Sequence, residues 1–256
     1  MKLLSPITSP FLRALIAVLV VKSSVYGQTA IFSDDFDGDG SDLDGTAPDV
    51  TTGANWVAGP LFNTDGTTDD AAGSATLAFM PVDGLIYTLD ASFSGLGLVG
   101  AGPDNDWFAA GFVNGSANIN GINQRFITGD VAGTAWIMHR GDITLGTNQT
   151  FLGTGQLGAG NFGLGIGGGD NTAQAWALDP ASAAVDFRVV LDTTEGEGAW
   201  KATWFAKRSE DTEFIEVRAT QALLPGAVIS GVGLARSNGG VTGTVESFSL
   251  TSSASG

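Results

Sequence analysis

The chain has no cysteine, one histidine and few basic residues, and each scarcity excludes a class of protein. Without cysteine there are no disulfide bonds, so stability must come from burial of a core, which 256 residues are enough to build. His139 alone cannot form a typical zinc site, and no Gly-x-Ser-x-Gly motif offers it a nucleophile. Eleven basic residues against 27 acidic ones exclude nucleic acid as a partner, because its phosphates would be repelled.

No apolar stretch near the N-terminus is long enough to span a membrane. Residues 14–21, ALIAVLVV, follow two basic residues, but a bilayer core needs about 20 apolar residues. This pattern predicts a secretory signal peptide over residues 1–27, with cleavage before Gln28, and cleavage after Ala30 as the alternative. The mature chain would then be secreted or cell-surface, with no transmembrane segment and a net charge of about −19.

Glycine is abundant instead, with 38 residues, and it separates many short apolar runs that alternate with polar residues. The clearest example is residues 184–208, where Phe187, Val189 and Leu191 alternate with polar neighbours before a Gly/Glu turn. Trp200 and Trp204 continue the alternation after the turn. Period two in both runs predicts a β-hairpin with one buried face, which requires a second sheet to cover it.

The same alternation predicts an all-β protein of one domain over residues 28–256, and no segment keeps a helical period. The predicted fold class is a two-sheet antiparallel β-sandwich. Its expected strands are residues 30–36, 74–80, 85–93, 107–113, 134–139, 174–178, 185–193, 199–208, 213–220, 227–236 and 244–251.

Several segments in their order along the chain support a more specific interpretation. They are IFSDDFDGDGSDLDGTAPDV with NWVAG, then YTLDASF, DWFAAGF and VVLDTT, and finally VGLARSNGGVTGTVESFSLT. The series resembles secreted bacterial proteins with a concanavalin-A-like (laminin-G-like) jelly-roll domain, over about residues 30–252. The resemblance implies a concave face that often holds glycans, and frequently a bound Ca²⁺. Some such proteins carry a PEP-type sorting tail; none follows FSLTSSASG, so a freely secreted form is expected.

An acidic segment near the N-terminus predicts a calcium site. Asp35, Asp37 and Asp39 alternate before a glycine, as in the first half of a calcium loop. Thr46 stands where an EF-hand needs a bidentate glutamate, so the site is not an EF-hand. The resembled family often binds Ca²⁺ between its first and last strands, which implies Asp35, Asp37 and Glu246 as ligands. The alternative is a solvated turn whose carboxylates bond nearby backbone.

Tryptophan beside acidic loops predicts a carbohydrate site. Sugars stack their C–H faces on aromatic rings and donate hydroxyl hydrogens to carboxylates. Trp107 follows Asp104 and Asp106, and Trp176 follows another Asp/Asn loop, so these four residues are the predicted binding residues. The alternative places both indoles in the core. For Trp107 the sequence favours the core, since residues 107–113 are apolar on both strand faces, as in a central covered strand.

No pair of carboxylates predicts catalysis. Jelly-roll glucanases carry Glu-x-Asp-x-x-Glu on one strand, and this chain has no such pattern; Glu213 and Glu216 fall on opposite faces of their strand. The sequence therefore predicts a secreted, non-catalytic carbohydrate-binding protein of the extracellular matrix or envelope, with polysaccharide as partner and Ca²⁺ as a stabilising ion. The alternatives are a structural or adhesive surface protein that binds proteins and, third, a polysaccharide-degrading enzyme.

Overall fold

The computed structural model describes residues 27–68, 72–95, 107–115, 132–140, 149–153, 184–208, 211–223, 226–237 and 243–255. No helix in these ranges is long and apolar enough to cross a membrane. Their strands are β1 (Thr29–Asp34), β2 (Val57–Ala58), β3 (Ala72–Ala78), β4 (Leu85–Ser94), β5 (Trp107–Asn114), β6 (Ala132–Arg140), β7 (Gln149–Gly153), β8 (Val185–Asp192), β9 (Lys201–Arg208), β10 (Ile215–Ala222), β11 (Gly231–Ser237) and β12 (Thr244–Ala254).

The strands form two antiparallel sheets. The first sheet has the order β1-β12-β4-β8-β9-β10, and the second has the order β2-β3-β11-β5-β6-β7. The first and last strands of the chain are therefore neighbours, and β11 lies between β3 and β5 although it follows them by more than a hundred residues. This architecture confirms the predicted fold class, a two-sheet antiparallel β-sandwich.

The core lies between the sheets and follows the alternation in the sequence. In β8 the side chains of Phe187, Val189 and Leu191 are buried while their neighbours are half-buried. Aromatic rings from the two sheets meet directly, with Phe93 of β4 and Phe108 of β5 only 4.5 Å apart between ring centroids. Because large rings remove the most apolar surface from water, they contribute most to holding the sheets together.

The second sheet is buried on both faces in its central strands. Residues 108–113 of β5 and 231–236 of β11 are all buried, which confirms the prediction that this part of β5 is central and covered on both sides. Glycine allows the strands to approach: a Cβ at Gly111 would lie 2.4 Å from the carbonyl oxygen of Ala135, and one at Gly233 would lie 2.3 Å from that of Ala75.

Element ends differ from the predicted ones for local reasons. The first strand ends at Asp34, two residues early, because Phe36 adopts a φ of 52° that no strand residue has. Strand β7 was not predicted, since its five residues are too few to display a period. The predicted strand at residues 174–178 lies outside the described residues.

Candidate functional site

The first predicted site lies in the turn after β1. Phe36 has a positive φ, which is unusual for a bulky residue, and its ring is buried 6.0 Å from the ring of Trp56. The carboxylate of Asp34 stabilises this turn through two hydrogen bonds. Its Oδ1 accepts from the backbone N–H of Phe36 at 2.9 Å, and its Oδ2 accepts from Trp56 Nε1 at 2.6 Å. The turn therefore buries Phe36 and leaves the aspartates on either side of it exposed.

Asp35 and Asp37 meet a third carboxylate, that of Asp49. The backbone pair between Ser33 and Val50 brings Asp49 to the turn, where its Oδ2 accepts from the N–H of Asp35 at 3.0 Å. One oxygen from each of the three carboxylates lies within 4.8 Å of the others, and all three residues are exposed. We call Asp35, Asp37 and Asp49 the acidic cluster.

The charges in the acidic cluster repel one another. The pKa of Asp35 is raised above its ordinary value, chiefly because of the negative charge of Asp37 and next because of that of Asp49. The donors are all carboxylate oxygens, which hard cations such as Ca²⁺ prefer, and oxygens bound to one Ca²⁺ at 2.3–2.6 Å lie no farther apart than about 5 Å. The geometry of the cluster fits such an ion.

Glu246, the third ligand implied by the resemblance, is not part of the acidic cluster. The pairing of β12 with β4 shifts register between Val245 and Ser247, so Glu246 lies in an irregularity of the strand. Its exposed carboxylate accepts from the hydroxyl of Ser94. Among the described residues, Asp49 occupies the place that the sequence analysis assigned to Glu246, and the spacing of carboxylates along the chain contains no signal for this exchange.

The predicted carbohydrate residues lie mostly outside the described residues. Asp104, Asp106 and Trp176 are outside them, and so is the side chain of Trp107. The backbone of Trp107 begins β5, where it pairs with Arg140 on one side and Ser237 on the other. The carbohydrate-binding role of these four residues remains a prediction.

A different tryptophan lies beside carboxylates. Trp200 follows the turn between β8 and β9 and is half-buried, and its Nε1 donates to Asp83 Oδ1 at 2.8 Å. The backbone carbonyl of Trp200 accepts from the N–H of Leu223 at 2.9 Å, which fixes the backbone of Trp200 next to the end of β10. Sequence reasoning assigned Trp200 to the buried face of the hairpin, but it lies one residue before β9 begins.

Trp200 lines a depression at one end of the sandwich, which we call the end depression. It consists of two adjoining cavities of about 270 and 70 Å³ that share Glu197, Trp200 and Ala227. Its walls come from loops of both sheets, since Met80–Asp83 connects β3 to β4 and Ala227–Ile229 leads into β11. The end depression thus combines an aromatic ring, two carboxylates (Asp83 and Glu197) and an apolar rim.

Two turns position the carboxylates. Gly84 has a φ of 87°, and its N–H donates to the carbonyl of Thr193 at 3.0 Å. The buried Thr193 hydroxyl donates to the carbonyl of Val82 at 2.9 Å, so the Asp83 loop is fixed to the end of β8 from both sides of Asp83. The hairpin turn that carries Glu197 is closed by the left-handed Gly196 and Gly198.

The rim of the end depression exposes apolar side chains. Met80 and Val228, which line the larger cavity, are 76 % and 53 % exposed. Exposed apolar residues that adjoin a concave polar surface are typical of binding sites. An indole beside carboxylate acceptors is the combination that the sequence analysis expected of a sugar site, formed here from different residues.

Comparisons with known proteins bear on the fold. A scan against protein-family models finds no match, and a search of curated proteins finds none either. Solved structures do match. An endo-1,3-beta-glucanase from Streptomyces sioyaensis shares 12% identity at a TM-score of 0.48, with 90% of this chain and 98% of that chain covered. The carbohydrate recognition domain of Emp47p shares 15% identity at a TM-score of 0.44, with 91% and 100% covered.

A third similar structure is a GH43 glycoside hydrolase with an engineered active site, at 11% identity and a TM-score of 0.45. It covers 90% of this chain, and this chain spans 42% of its length. At these identities the likeness extends to the fold alone.

The comparisons correct one prediction. The prediction that the chain is not an enzyme is wrong, because the similar structures include an endo-1,3-beta-glucanase and a glycoside hydrolase as well as a carbohydrate recognition domain. That prediction was based on the absence of a Glu-x-Asp-x-x-Glu pattern within one strand. The end depression shows the physical reason why that test is insufficient: the fold brings Asp83 and Glu197 together from distant parts of the chain.

Proposed function

We propose that this chain is a secreted protein that binds carbohydrate in the end depression. The observation that carries the proposal is the half-buried indole of Trp200, fixed by its hydrogen bond to Asp83 and adjoining Glu197 in a concave surface. An indole held in this way offers an apolar face at little cost in side-chain entropy, because the ring is already ordered before a ligand arrives.

The chemistry of the end depression matches a sugar ring. The C–H face of a pyranose stacks on an indole, and the sugar hydroxyls donate to carboxylate oxygens. Asp83 Oδ1 accepts from Trp200, and both Asp83 and Glu197 are exposed, so their remaining carboxylate oxygens can accept from sugar hydroxyls. Among the described residues the lining contains two carboxylates and no basic side chain, which favours a neutral sugar over an acidic one.

Trp200→Ala is expected to lower glycan affinity at least about tenfold, equivalent to about 1.4 kcal/mol, because it removes the stacking surface. The half-buried indole also covers part of the core, so we expect a loss of stability of about 1 kcal/mol. A glycan array identifies the sugars that bind the wild type, and affinity electrophoresis in gels containing those glycans, beside thermal melts, measures both effects.

Two variants control this experiment. Val82→Ala shortens an exposed apolar side chain beside Asp83 and should change neither retention nor melting. Trp200→Phe keeps a ring but loses the bond to Asp83, so its retention should be intermediate. If Trp200→Ala were retained as strongly as the wild type on every glycan, the end depression would not be the carbohydrate site. The predicted residues Asp104, Asp106, Trp107 and Trp176 would be replaced next.

A separate assay tests for catalysis: reducing ends, measured after the wild type is incubated with the glycans that it binds, report whether bound glycan is also cleaved.

We also propose that the acidic cluster holds Ca²⁺. Support comes from three carboxylates that repel one another in a turn that the buried Phe36 keeps in place. A divalent cation would neutralise this repulsion and tie the start of the first sheet to the Asp49 loop.

Calcium at the acidic cluster is expected to stabilise the fold by about 2.7 kcal/mol at a hundredfold excess over its Kd. Chelation should then lower the melting temperature by about 5–10 °C. Asp49→Asn should abolish the response to calcium, whereas Glu246→Gln should keep it, because Glu246 lies outside the cluster. Thermal melts with calcium and with EDTA measure this. The reverse result for the two variants would support the ligand set implied by the resemblance, and identical wild-type melts would exclude calcium.

A further inference from the structure

A second concave surface lies on the outer face of the first sheet, away from the core. This groove has a volume of about 580 Å³, which lies within the range of sites that bind small ligands. Its floor is formed by side chains of β4 and β8, including Asp90 and Arg188, and one wall by Phe205, Glu213 and Phe214. We call it the outer-sheet groove.

The polar groups of the outer-sheet groove are held in place before any ligand arrives. Arg188 lies directly opposite Asp90 and donates to both of its oxygens, from Nε at 2.7 Å and from Nη2 at 2.9 Å. The ring of Phe214 stacks over the guanidinium at 4.1 Å, which adds a cation–π contact to this pair. The guanidinium offers donors and the carboxylate offers acceptors in a fixed arrangement. They can therefore bind neighbouring hydroxyl groups of a ligand without a further loss of side-chain entropy.

The rest of the groove lining adds apolar surface and hydroxyl groups to the Arg188–Asp90 pair. Val190 of the floor and Phe205 of the wall supply apolar surface beside Arg188, and both are half-buried. On the opposite side the lining contains Ser249 and Thr251, whose hydroxyls can both donate and accept. Hydroxyls, a carboxylate, a guanidinium and aromatic rings together suit a ligand that has many hydroxyl groups and apolar C–H faces.

Charge narrows the class of ligand. Among the described residues the lining contains two carboxylates, Asp90 and Glu213, and one guanidinium, that of Arg188, which is already paired with Asp90. A mature chain with a strong net negative charge adds to the repulsion of anions. Acidic polysaccharides are therefore disfavoured, and uncharged sugars are favoured.

We propose that the outer-sheet groove is a second carbohydrate site, specific for uncharged oligosaccharide and independent of the end depression. The proposal rests on the proposed function, because it extends glycan binding to another surface of the chain. The two sites do not overlap. Phe205 lies on the outer face of β9, whereas Trp200, just before β9 begins, packs against the core, and the five residue steps from Trp200 to Phe205 span about 17 Å of extended chain. One chain would then hold two glycan segments at once.

The test uses the full chain and neutral gels containing β-glucan or agarose, an acidic gel containing alginate, and a glycan array. The groove variant carries Phe205→Ala with Phe214→Ala, which removes both rings but leaves the Arg188–Asp90 pair. We expect at least about tenfold weaker retention in the neutral gel that retards the wild type, a further loss when Trp200→Ala is added, and no retention in alginate. Thr203→Ala, on the same outer face but outside the groove lining, should behave as wild type.

The outcomes separate the two proposals. If Trp200→Ala weakens binding and the groove variant does not, the end depression binds glycan and the outer-sheet groove is refuted. If only the groove variant weakens binding, the end depression is refuted and the groove stands. Retention of the wild type by no neutral glycan, in the gels or on the array, would overturn both. Thermal melts of all variants must stay within a few degrees of wild type; otherwise Phe214→Ala alone, which changes only a loop side chain, replaces the double variant.

Discussion

Replacing Trp204 by alanine is expected to lower the free energy of unfolding by about 3–5 kcal/mol, the range for emptying a large aromatic core position. Trp204 lies in the middle of β9 with 0 % of its surface exposed, and it packs in the core between the sheets. For a domain of this size the melting temperature should fall by about 6–20 °C. Differential scanning calorimetry or a urea titration measures the loss directly.

Trp204→Phe is the matched control for this prediction. Trp204 Nε1 is buried and finds no acceptor among the described residues, so phenylalanine removes an unsatisfied donor while it keeps most of the ring. We expect it to cost less than half as much as alanine. If alanine at this position left the melt unchanged, Trp204 would not be a core residue and the hairpin would not face the second sheet as described.

Gly66→Ala is expected to destabilise the protein by about 3 kcal/mol or more, through the backbone rather than the core. Gly66 has a φ of 73°, and a Cβ there would lie 2.1 Å from the carbonyl oxygen of Val245. The contact is close because Val245 N–H donates to the carbonyl of Gly66 at 2.9 Å, which joins this loop to β12. Neither backbone can shift without breaking that bond. Thermal melts measure the effect.

Gly45→Ala separates the two causes of strain. Gly45 has nearly the same φ, 79°, but a Cβ there would meet no atom within 4 Å. It should therefore cost only the left-handed conformation, about 1–2 kcal/mol. Equal losses of unfolding free energy in the two variants would contradict the proposed collision with Val245. A larger loss for Gly66→Ala would measure the cost of that collision.

Alternation alone was enough to predict the class of fold and most strands. The period of two places Phe187, Val189 and Leu191 on one face of β8, and the structure buries all three. The predicted 184–208 hairpin is present, and its strands pair from Val185 opposite Arg208 to Asp192 opposite Lys201. These features are local, because a side chain's face is set by its position within its own strand.

The candidate sites depended on contacts between distant segments. Asp35 meets Asp49, 14 residues away, and Trp200 meets Asp83, 117 residues away. Periodicity states which face a residue occupies but not which loops share an end of the sandwich. The enzyme prediction failed for a related reason, since it searched for carboxylates within one strand although folding can bring them together from separate loops.

By itself the sequence determined that the chain forms β-strands, which side chains face the core and that no disulfide stabilises it. Only the tertiary structure decided which carboxylates meet, that Asp49 and not Glu246 belongs to the acidic cluster, and that Trp200 borders a depression as well as packing against the core. The physical reason is that strand alternation follows from backbone geometry, whereas the pairing of β1 with β12 and of β3 with β11 follows from the burial gained by the whole sandwich.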